Sequence, residues 1–506
     1  MFLRSSLITF LTLCSVNLSF AIEPAIYDDI KCDGILFDTK VAQKNIISHL
    51  QKSLTRINQN EWKVKKEFEI DNHISYSLVH KNRKLNIIEA MHLKEEAAEV
   101  NEIVDPELIC EFDESVANTK TNEREDFYSG TLFKDDCKID SLTKLSHCDY
   151  EWTIKMLNMH KYDIKFEKKH TVTVGVADTG YTPHPELGNI KKTITGGWDV
   201  IRDLPDTGRD PLCGSCYGHG TGVISVLQSP RGPQQKTYYN NRPAFVTGVS
   251  PSARVKAYRV SKGSVIHFSF HNLTKGILKA VEWNRKTQDP NEKIYIINMS
   301  LGGPFSSKRL EKAIDQATKE GIILTAAAGN YLPDIILNRM MVYPAKYKKV
   351  LAITAVSHDA NPWIFSSMGK QADIAAPGNR VWVARTVNQN DIDKYKFSVV
   401  SNAGTSLATA LTSGALSLWI EKHGNNTLKQ YDPYRYELVR YIFEKLEKAN
   451  KLTPFSCHNS KGQCDEIKKG LFGKGILNIP ALLEEPLPSI AEFKKWLTVT
   501  NRLDLE

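Results

Sequence analysis

A chain of 506 residues is long enough for two or more domains, and 41% hydrophobic with 25% charged residues is typical of a globular protein. The 66 basic and 58 acidic residues give a formal net charge of +8. No long basic run with interleaved aromatic residues accompanies that charge, so the composition argues against a nucleic-acid-binding protein. We assign the excess of basic residues to a solvated surface.

Residues 1–21 have the pattern of a secretory signal peptide. Arg4 precedes a short apolar stretch, and the small residues Ser19 and Ala21 stand where a cleavage site is expected. A buried N-terminal helix is the alternative interpretation. Cys14 lacks the preceding small residues of a lipoprotein signal, and no later stretch reaches the ~20 apolar residues that span a bilayer. We therefore expect an exported protein, extracellular or periplasmic, without a membrane anchor in its mature form.

Cysteine usage agrees with an oxidising route. The chain has nine cysteines, and an even number remains when Cys14 leaves with the signal peptide. Disulfide bonds are the expected state of the others. The spacing singles out three close pairs, which are Cys213/Cys216, Cys457/Cys464 and Cys137/Cys148.

The apolar pattern of residues 22–149 predicts a small α+β unit. Apolar residues recur at helical spacing from Ile47 to Ile57 and alternate from Trp62 to Ile70. The stretch from Asp113 to Asp126 is polar, charged and without periodicity, which is typical of an exposed linker that a protease can reach. No chemical motif occurs in this unit.

Residues 150–485 alternate between strand and helix patterns. The first strand, Thr171 to Gly180, is a β-branched run of the kind found in a parallel sheet covered on both faces. Further buried strands are predicted at 253–260, 294–301, 322–328 and 350–356, with amphipathic helices between them. This alternation predicts an α/β fold, a doubly wound parallel sheet with helices on both faces. Residues 486–506 are expected to form a C-terminal tail.

Three residues in this region have side chains that can carry out nucleophilic catalysis. Asp178 ends the first strand, where open α/β sheets bind ligands, although a plain Asp-Thr-Gly turn fits as well. His219 lies between two glycines before an apolar helix, and glycine lets other backbone approach the ring. Ser406 follows Gly404 and Thr405 at the start of a second apolar helix, where it is either a nucleophile or an N-cap.

Two further strand ends carry small residues and an amide. Ser300, Leu301 and Gly302 follow one strand, and Ala328 and Gly329 precede Asn330 at the end of the next. Small residues let a substrate backbone approach, and the Asn330 side chain supplies a hydrogen-bond donor.

The motifs Asp178-Thr-Gly, Gly-His219-Gly-Thr, Ser300-Leu-Gly-Gly, Ala328-Gly-Asn330 and Gly404-Thr-Ser406-Leu-Ala, in this order, resemble those of the subtilisin-like serine proteases (the subtilase family). The order Asp, His, Ser is that of subtilisin and differs from those of chymotrypsin and the α/β-hydrolases. The resemblance extends from about Tyr150 to Leu483. It implies a secreted serine endopeptidase, a hydrolase that acts on polypeptide substrates.

The resemblance also implies roles for these residues. Ser406 attacks the peptide carbonyl, His219 takes and returns the proton, and Asp178 orients the ring. Asn330 and the backbone N–H of Ser406 form the oxyanion hole. Segments 300–302 and 328–329 bind an extended substrate, the first by strand pairing. The mechanism needs no metal and no cofactor.

Similar enzymes are made as zymogens whose N-terminal prosegment assists folding and blocks the cleft, which suits residues 22–149. A permanent accessory domain is the alternative, partly because its cysteines could be bonded to the protease domain. The chain departs from the family pattern in two places: Gly222 replaces a usual second histidine, and Ala410 a usual proline, which predicts a straighter helix. An insertion that contains Cys213 and Cys216 precedes His219.

Two other hypotheses remain open on the sequence. A secreted binding protein with a degenerate protease fold would carry a damaged triad or oxyanion donor, and no damage is visible. A zinc hydrolase would have to use Cys213, Cys216 and His219, because no other spaced Cys/His set occurs. We favour a Cys213–Cys216 disulfide, since zinc there would occupy the imidazole that has to act as a base. Pairing of these two residues with other cysteines is the main alternative.

Overall fold

The fold was determined as a computed structural model. It describes residues 30–39, 61–70, 73–98, 104–112, 137, 139–161, 171–205, 208, 210, 218–230, 232, 238–239, 242–262, 269–331, 339–385, 398–457 and 461–503.

An N-terminal unit spans residues 30–112. Its elements, in chain order, are β1 (Ile30–Asp38), β2 (Trp62–Ile70), β3 (His73–His80), β4 (Leu85–Asn86), α1 (Ile87–Ala98) and β5 (Val104–Phe112). The strands form an antiparallel sheet in the order β2-β3-β1-β4, with β5 also paired to β1. Helix α1 packs against β1 and β5, and Leu93 and Ala97 on the helix join Ile35 and Leu78 of the sheet in one apolar core.

The expected α+β character of this unit is confirmed, with one local difference. Trp62 and Val64 are buried in the core as their alternation predicts. A bulge between Lys66 and Phe68 then interrupts the alternation. Phe68 stacks instead on His271, outside this unit, with ring centroids 5.7 Å apart. The predicted helix from Ile47 to Ile57 and the linker from Asp113 to Asp126 lie outside the described residues.

The region that follows, residues 139–503, is built on an eight-stranded sheet. Its first elements, in chain order, are α2 (Trp152–Met156), β6 (Thr173–Asp178), α3 (Ile190–Thr193), β7 (Ile194–Asp199), β8 (Leu204–Pro205), α4 (His219–Gln228), β9 (Tyr238–Tyr239), β10 (Arg242–Pro243), β11 (Arg254–Arg259), α5 (His271–Lys286), β12 (Ile294–Met299), α6 (Lys308–Lys319) and β13 (Ile323–Ala327). The chain continues through β14 (Val350–Val356), β15 (Ala372–Pro377), β16 (Val381–Arg385), β17 (Ser398–Asn402), α7 (Thr405–His423), α8 (Asn425–Leu428), α9 (Arg435–Lys448), α10 (Lys461–Lys468), α11 (Ile479–Glu484) and α12 (Ile490–Val499).

The sheet has the strand order β15-β14-β13-β12-β6-β11-β7-β8, and every pairing except that of β7 with β8 is parallel. Successive strand residues face opposite sides. In β12, Ile296 belongs to the core that contains α4 and α7, whereas Ile297 belongs to the core that contains α5 and α6. Helices therefore cover both faces, which confirms the predicted doubly wound α/β fold.

Three parts of this region were not anticipated. Strands β15, β7 and β8 extend the two sides of the eight-stranded sheet beyond the predicted strands. A smaller sheet in the order β10-β9-β17-β16 lies beside helix α4. Residues 486–503, expected as a tail, contain helix α12, whose Phe493 and Leu497 are buried in the same core as α7. In the described part of the chain, no helix combines the length and apolarity required for a membrane span.

Candidate active site

Asp178 and His219 meet where β6 ends and α4 begins. Asp178 is the last residue of β6 and is fully buried, and His219 is the first residue of α4. The Nδ1 atom of His219 lies 2.8 Å from Oδ1 and 3.0 Å from Oδ2 of Asp178. Because one ring nitrogen is held by the carboxylate, the other, Nε2, is left to exchange a proton.

The glycines on both sides of His219 are required by the backbone. Gly218 has a φ of 72°, a left-handed conformation that favours glycine. A β-carbon on Gly220 would lie 2.0 Å from the carbonyl oxygen of Gly180 and 3.2 Å from Oδ1 of Asp178. The start of α4 can therefore approach the end of β6 only with glycine at position 220.

The surroundings of His219 favour its protonated form. Burial lowers the pKa of the imidazole, but the charge of Asp178, the hydrogen bond to Asp178 and the charge of Asp210 raise it, and the net pKa lies above the ordinary 6.5. The ring can thus accept a proton at neutral pH and hold it as an imidazolium.

Ser406 is the second residue of α7 and its side chain is buried. Its Oγ donates to the carbonyl oxygen of Ser300 at 3.0 Å, and Oγ of Ser300 donates in return to the carbonyl oxygen of Ser406 at 2.8 Å. Helix α7 packs against α4, which carries His219. Among the described residues, no hydrogen bond joins Ser406 to His219.

Asn330 faces the start of α7. Its Oδ1 accepts hydrogen bonds from the backbone N–H of Thr405 at 3.0 Å and from Oγ1 of Thr405 at 2.8 Å. Both bonds use the oxygen of the amide, and Nδ2 is directed towards Gly404. A β-carbon placed on Gly404 would lie 3.4 Å from Nδ2 of Asn330. The amide is oriented as a donor beside Ser406, whose own backbone N–H lies in the first turn of the helix.

The two expected substrate segments lie next to Ser406 and are mostly buried. Ser300 and Leu301 are buried, and the Ser300 hydroxyl also accepts from Asn298. Ala328 is fully buried, and the Gly329 N–H donates to Oγ1 of Thr405 at 3.3 Å. Segment 300–302 contributes mainly backbone to the surface, and the roles predicted for both segments stay predictions.

The sequence did not single out Thr179, Asp210 or Thr405. Thr179 and Thr405 lie within motifs that were identified in the sequence. Their position in those motifs was a signal that could have identified them as functional residues. Asp210 had no such signal, because the cysteine-containing insertion separates it from His219. It is buried and accepts a hydrogen bond from Oγ1 of Thr179 at 2.6 Å.

Two departures from the family pattern can be placed. A β-carbon on Gly222 would meet only ordinary contacts near Val383 and Ala384. Ala410 is fully buried within α7, which runs without interruption from Thr405 to His423. The predicted Cys213–Cys216 pair lies outside the described residues.

Four of the described cysteines form two disulfides, Cys32–Cys110 and Cys137–Cys148. The second was predicted from spacing. Cys464 lies in a helix, but its side chain is outside the described part of the chain. The predicted Cys457–Cys464 pair therefore stays a prediction.

An Asp–His pair with a buried carboxylate, a serine at a helix start and a nearby side-chain amide lie at the carboxyl edge of a doubly wound sheet, an arrangement typical of serine hydrolases. Residues 169–461 match the model of the Subtilase family (peptidase S8). The chain therefore belongs to the subtilase family of serine proteases, and the expected serine endopeptidase class is confirmed.

Individual relatives agree with this assignment. The chain is 30% identical over 266 residues to the major intracellular serine protease of Bacillus subtilis (strain 168), an alignment that covers 52% of this chain and 73% of that protease. It is 30% identical over 274 residues to subtilisin DY of Bacillus licheniformis, covering 53% of this chain and 84% of subtilisin DY.

A solved structure extends the similarity in fold. Fervidolysin from Fervidobacterium pennivorans, a keratinolytic enzyme related to subtilisin, aligns with 91% of this chain and 62% of its own, with a TM-score of 0.57 and 16% identity. At this identity the similarity concerns the fold alone.

Proposed function

We propose that the chain is a secreted serine endopeptidase, made as a proenzyme, that hydrolyses peptide bonds through Asp178, His219 and Ser406. The observation that supports this most directly is the hydrogen bond between Nδ1 of His219 and the buried Asp178 carboxylate, at 2.8 Å. This bond fixes the tautomer in which Nε2 can accept a proton.

The proposed reaction begins when Oγ of Ser406 attacks the peptide carbonyl and its proton moves to Nε2 of His219. The imidazolium then donates that proton to the leaving amine, which leaves an acyl group on Ser406. A water molecule, deprotonated by His219, then attacks the acyl group; the acyl–Oγ bond breaks, the new C-terminal carboxylic acid leaves, and the imidazolium returns its proton to Oγ of Ser406. For the attack, Oγ has to leave the Ser300 carbonyl oxygen, its acceptor at 3.0 Å.

The negative charge that develops on the carbonyl oxygen needs donors that are already in place. Nδ2 of Asn330 and the backbone N–H of Ser406 are the proposed donors. Thr405 occupies Oδ1 of Asn330 with two hydrogen bonds, which leaves Nδ2 for the substrate. The first turn of α7 adds the favourable end of its helix dipole.

The proposed substrate is a polypeptide in extended conformation. Its backbone would run beside segments 300–302 and 328–329, which converge on Ser406 from the neighbouring parallel strands β12 and β13. No cofactor is part of the proposal.

We infer that residues 1–21 are a signal peptide, that 22–149 are a prosegment and an intramolecular inhibitor, and that 150–485 are the peptidase domain. The N-terminal unit has its own apolar core, and the disulfide Cys32–Cys110 lies within it. Neither described disulfide joins this unit to the peptidase domain, which removes one argument for a permanent accessory domain.

The test is covalent labelling with a serine-directed phosphonate. The wild-type enzyme should be labelled at Ser406 and lose peptidase activity, whereas Ser406→Ala should be neither labelled nor active. The matched control is Ser417→Ala in the same helix, because that hydroxyl donates to the Gly414 carbonyl of α7, at 2.8 Å, and to no other group among the described residues. Activity without labelling, or an active Ser406→Ala enzyme, would refute the mechanism. An inert, unlabelled wild type would favour the degenerate binding protein.

A further inference from the structure

Asp210 is a second buried carboxylate beside the proposed Asp178–His219 pair. Its side chain is 7% exposed. Its Oδ2 accepts hydrogen bonds from Oγ1 of Thr179 at 2.6 Å and from the backbone N–H of Gly218 at 2.7 Å. Thr179 follows Asp178 directly and Gly218 precedes His219 directly, so one carboxylate oxygen binds a neighbour of each residue.

Thr179 extends this network to the other side of His219. Its Oγ1 accepts from the N–H of Gly220 at 3.1 Å, and its own N–H donates to Oδ1 of Asp178 at 2.7 Å. The two peptide N–H groups that flank His219 are therefore held, one directly and one through Thr179, by Asp210. Hydrogen bonds to an ionised carboxylate are stronger than neutral ones.

The backbone fixes Asp210 in turn. Its N–H donates to the carbonyl oxygen of Tyr181 at 2.9 Å, and the N–H of Tyr181 donates to the carbonyl oxygen of Gly208 at 2.9 Å. Residues 208 and 210 are thus tied to the chain that follows β6. Because Gly220 leaves no room for a β-carbon at this contact, a small displacement of the segment would move His219.

We propose that Asp210 is a positioning residue, which fixes the start of α4 against Asp178 and supplies a second negative charge to the imidazolium of His219. The proposal rests on the function proposed above. When the Ser406 proton reaches Nε2, His219 gains a positive charge that the charges of Asp178 and Asp210 attract. In a buried site, that attraction is weakly screened by solvent.

Among the described residues, Asp178 and Asp210 are the charged groups that act on the pKa of His219, and both raise it. Removal of the Asp210 charge should therefore lower that pKa. The unprotonated base would persist to lower pH, and the acidic limb of kcat/KM would move in the same direction.

The test is Asp210→Asn in the processed enzyme, with rates divided by the concentration of active sites titrated with the phosphonate. Asparagine keeps the shape and can still accept from Gly218, but it has no charge. We expect kcat/KM at neutral pH to fall roughly ten-fold, less than the roughly 10²–10⁴-fold of a general base. The acidic limb should shift to lower pH.

Two variants separate charge from hydrogen bonding. Thr179→Val removes the hydroxyl that links Asp210 to Gly220 but keeps every charge, so the rate should fall and the acidic limb should stay in place. Asp203→Asn removes an exposed carboxylate, whose side chain is 61% exposed, and should change neither quantity.

An unchanged rate in Asp210→Asn would overturn the proposal, and so would a lower rate with an unmoved acidic limb. Should that variant fail to fold, NMR titration of the wild-type histidines decides: His219 must titrate above 6.5, and a lower value overturns the proposal. Absence of phosphonate labelling in the wild type would instead refute the proposed function, independently of Asp210.

Discussion

The N-terminal unit and the peptidase domain are held together by different forces. The peptidase domain buries a continuous set of apolar side chains on each face of its sheet. The N-terminal unit has a much smaller core, which the Cys32–Cys110 disulfide crosslinks between β1 and β5. Small domains bury too little apolar surface to be very stable, and a disulfide offsets this by constraining the unfolded chain.

The contact between the two regions is also largely polar. Arg309 in α6 is 1% exposed, and its guanidinium binds the carboxylates of Asp38 and Glu107 and the backbone carbonyl of Asp105. Glu67 of β2 lies 3.0 Å from Nζ of Lys275 in α5.

The N-terminal side contributes acidic groups and the peptidase side basic ones. Each region keeps its own apolar core. Charged pairs join the two regions, together with the Phe68–His271 stack and Phe305, which packs against the N-terminal core. Separation would expose these few aromatic side chains but would leave most of each core intact, as a removable prosegment requires.

The largest expected effect concerns Ser406→Ala. If the precursor cuts itself, this variant should accumulate with residues 22–149 still attached, in a host that lacks related proteases. N-terminal sequencing and mass measurement of the purified protein check this. Ser417→Ala should be processed as the wild type is, and normal processing of Ser406→Ala would refute self-cleavage.

The next effect tests the interface. Arg309→Leu leaves Asp38 and Glu107 without their buried partner, and loss of one member of a buried ion pair typically costs about 3–5 kcal/mol. In the inactive Ser406→Ala background, the N-terminal unit should become sensitive to added protease while the peptidase domain stays resistant. Lys312→Leu is the control, because that side chain is 34% exposed and 3.9 Å from Asp38. Equal resistance of the two variants would argue against a charge-held interface.

Asn330→Ala should change catalysis in the peptidase domain without affecting the N-terminal unit. Loss of one oxyanion donor reduces kcat by roughly 10²–10³-fold. Thr405→Val keeps the amide but removes one of the hydrogen bonds that orient it, so its loss of kcat should be smaller. Steady-state kinetics on a peptide substrate give both values, and a wild-type kcat in Asn330→Ala would exclude it as an oxyanion donor.

The Cys32–Cys110 disulfide should affect the stability of the N-terminal unit and not that of the peptidase domain. Replacement of Cys32 and Cys110 by serine should destabilise the N-terminal unit by about 2–5 kcal/mol. The unfolding transition of the peptidase domain should stay where it is, because the crosslink lies within the other unit. Calorimetry of the Ser406→Ala precursor resolves the two transitions, and a joint shift would show that the regions unfold as one.

The smallest expected effect concerns the pH at which kcat/KM of the wild-type enzyme falls on acidification. His219 has a pKa raised above 6.5 in the folded enzyme, so kcat/KM should fall as the pH decreases through a value above that of free imidazole. The sign follows from the attraction of Asp178 and Asp210 for the protonated ring, which outweighs burial. A rate that stays flat from neutral pH to pH 4 would argue against a histidine base.

Local sequence determined much of this protein. The strands β6, β11, β12, β13 and β14 and helix α7 follow from apolar periodicity and glycine positions, which depend on neighbours in the chain. Asp178 lies at the end of a strand, and His219 and Ser406 lie at the starts of helices. In open α/β sheets, ligands bind at the carboxyl ends of the parallel strands. The motifs of these three residues sufficed to predict the family and the candidate site.

Tertiary structure alone decided the rest. Three contacts join residues far apart in the chain: the stack of Phe68 on His271 beside a bulge, the ion pair of Arg309 with Asp38, and the hydrogen bond from Thr179 to Asp210. No periodicity marks such residues, because burial and charge pairing depend on which surfaces meet after folding. The sequence therefore indicated which groups could perform the chemistry, while packing determined which groups position them.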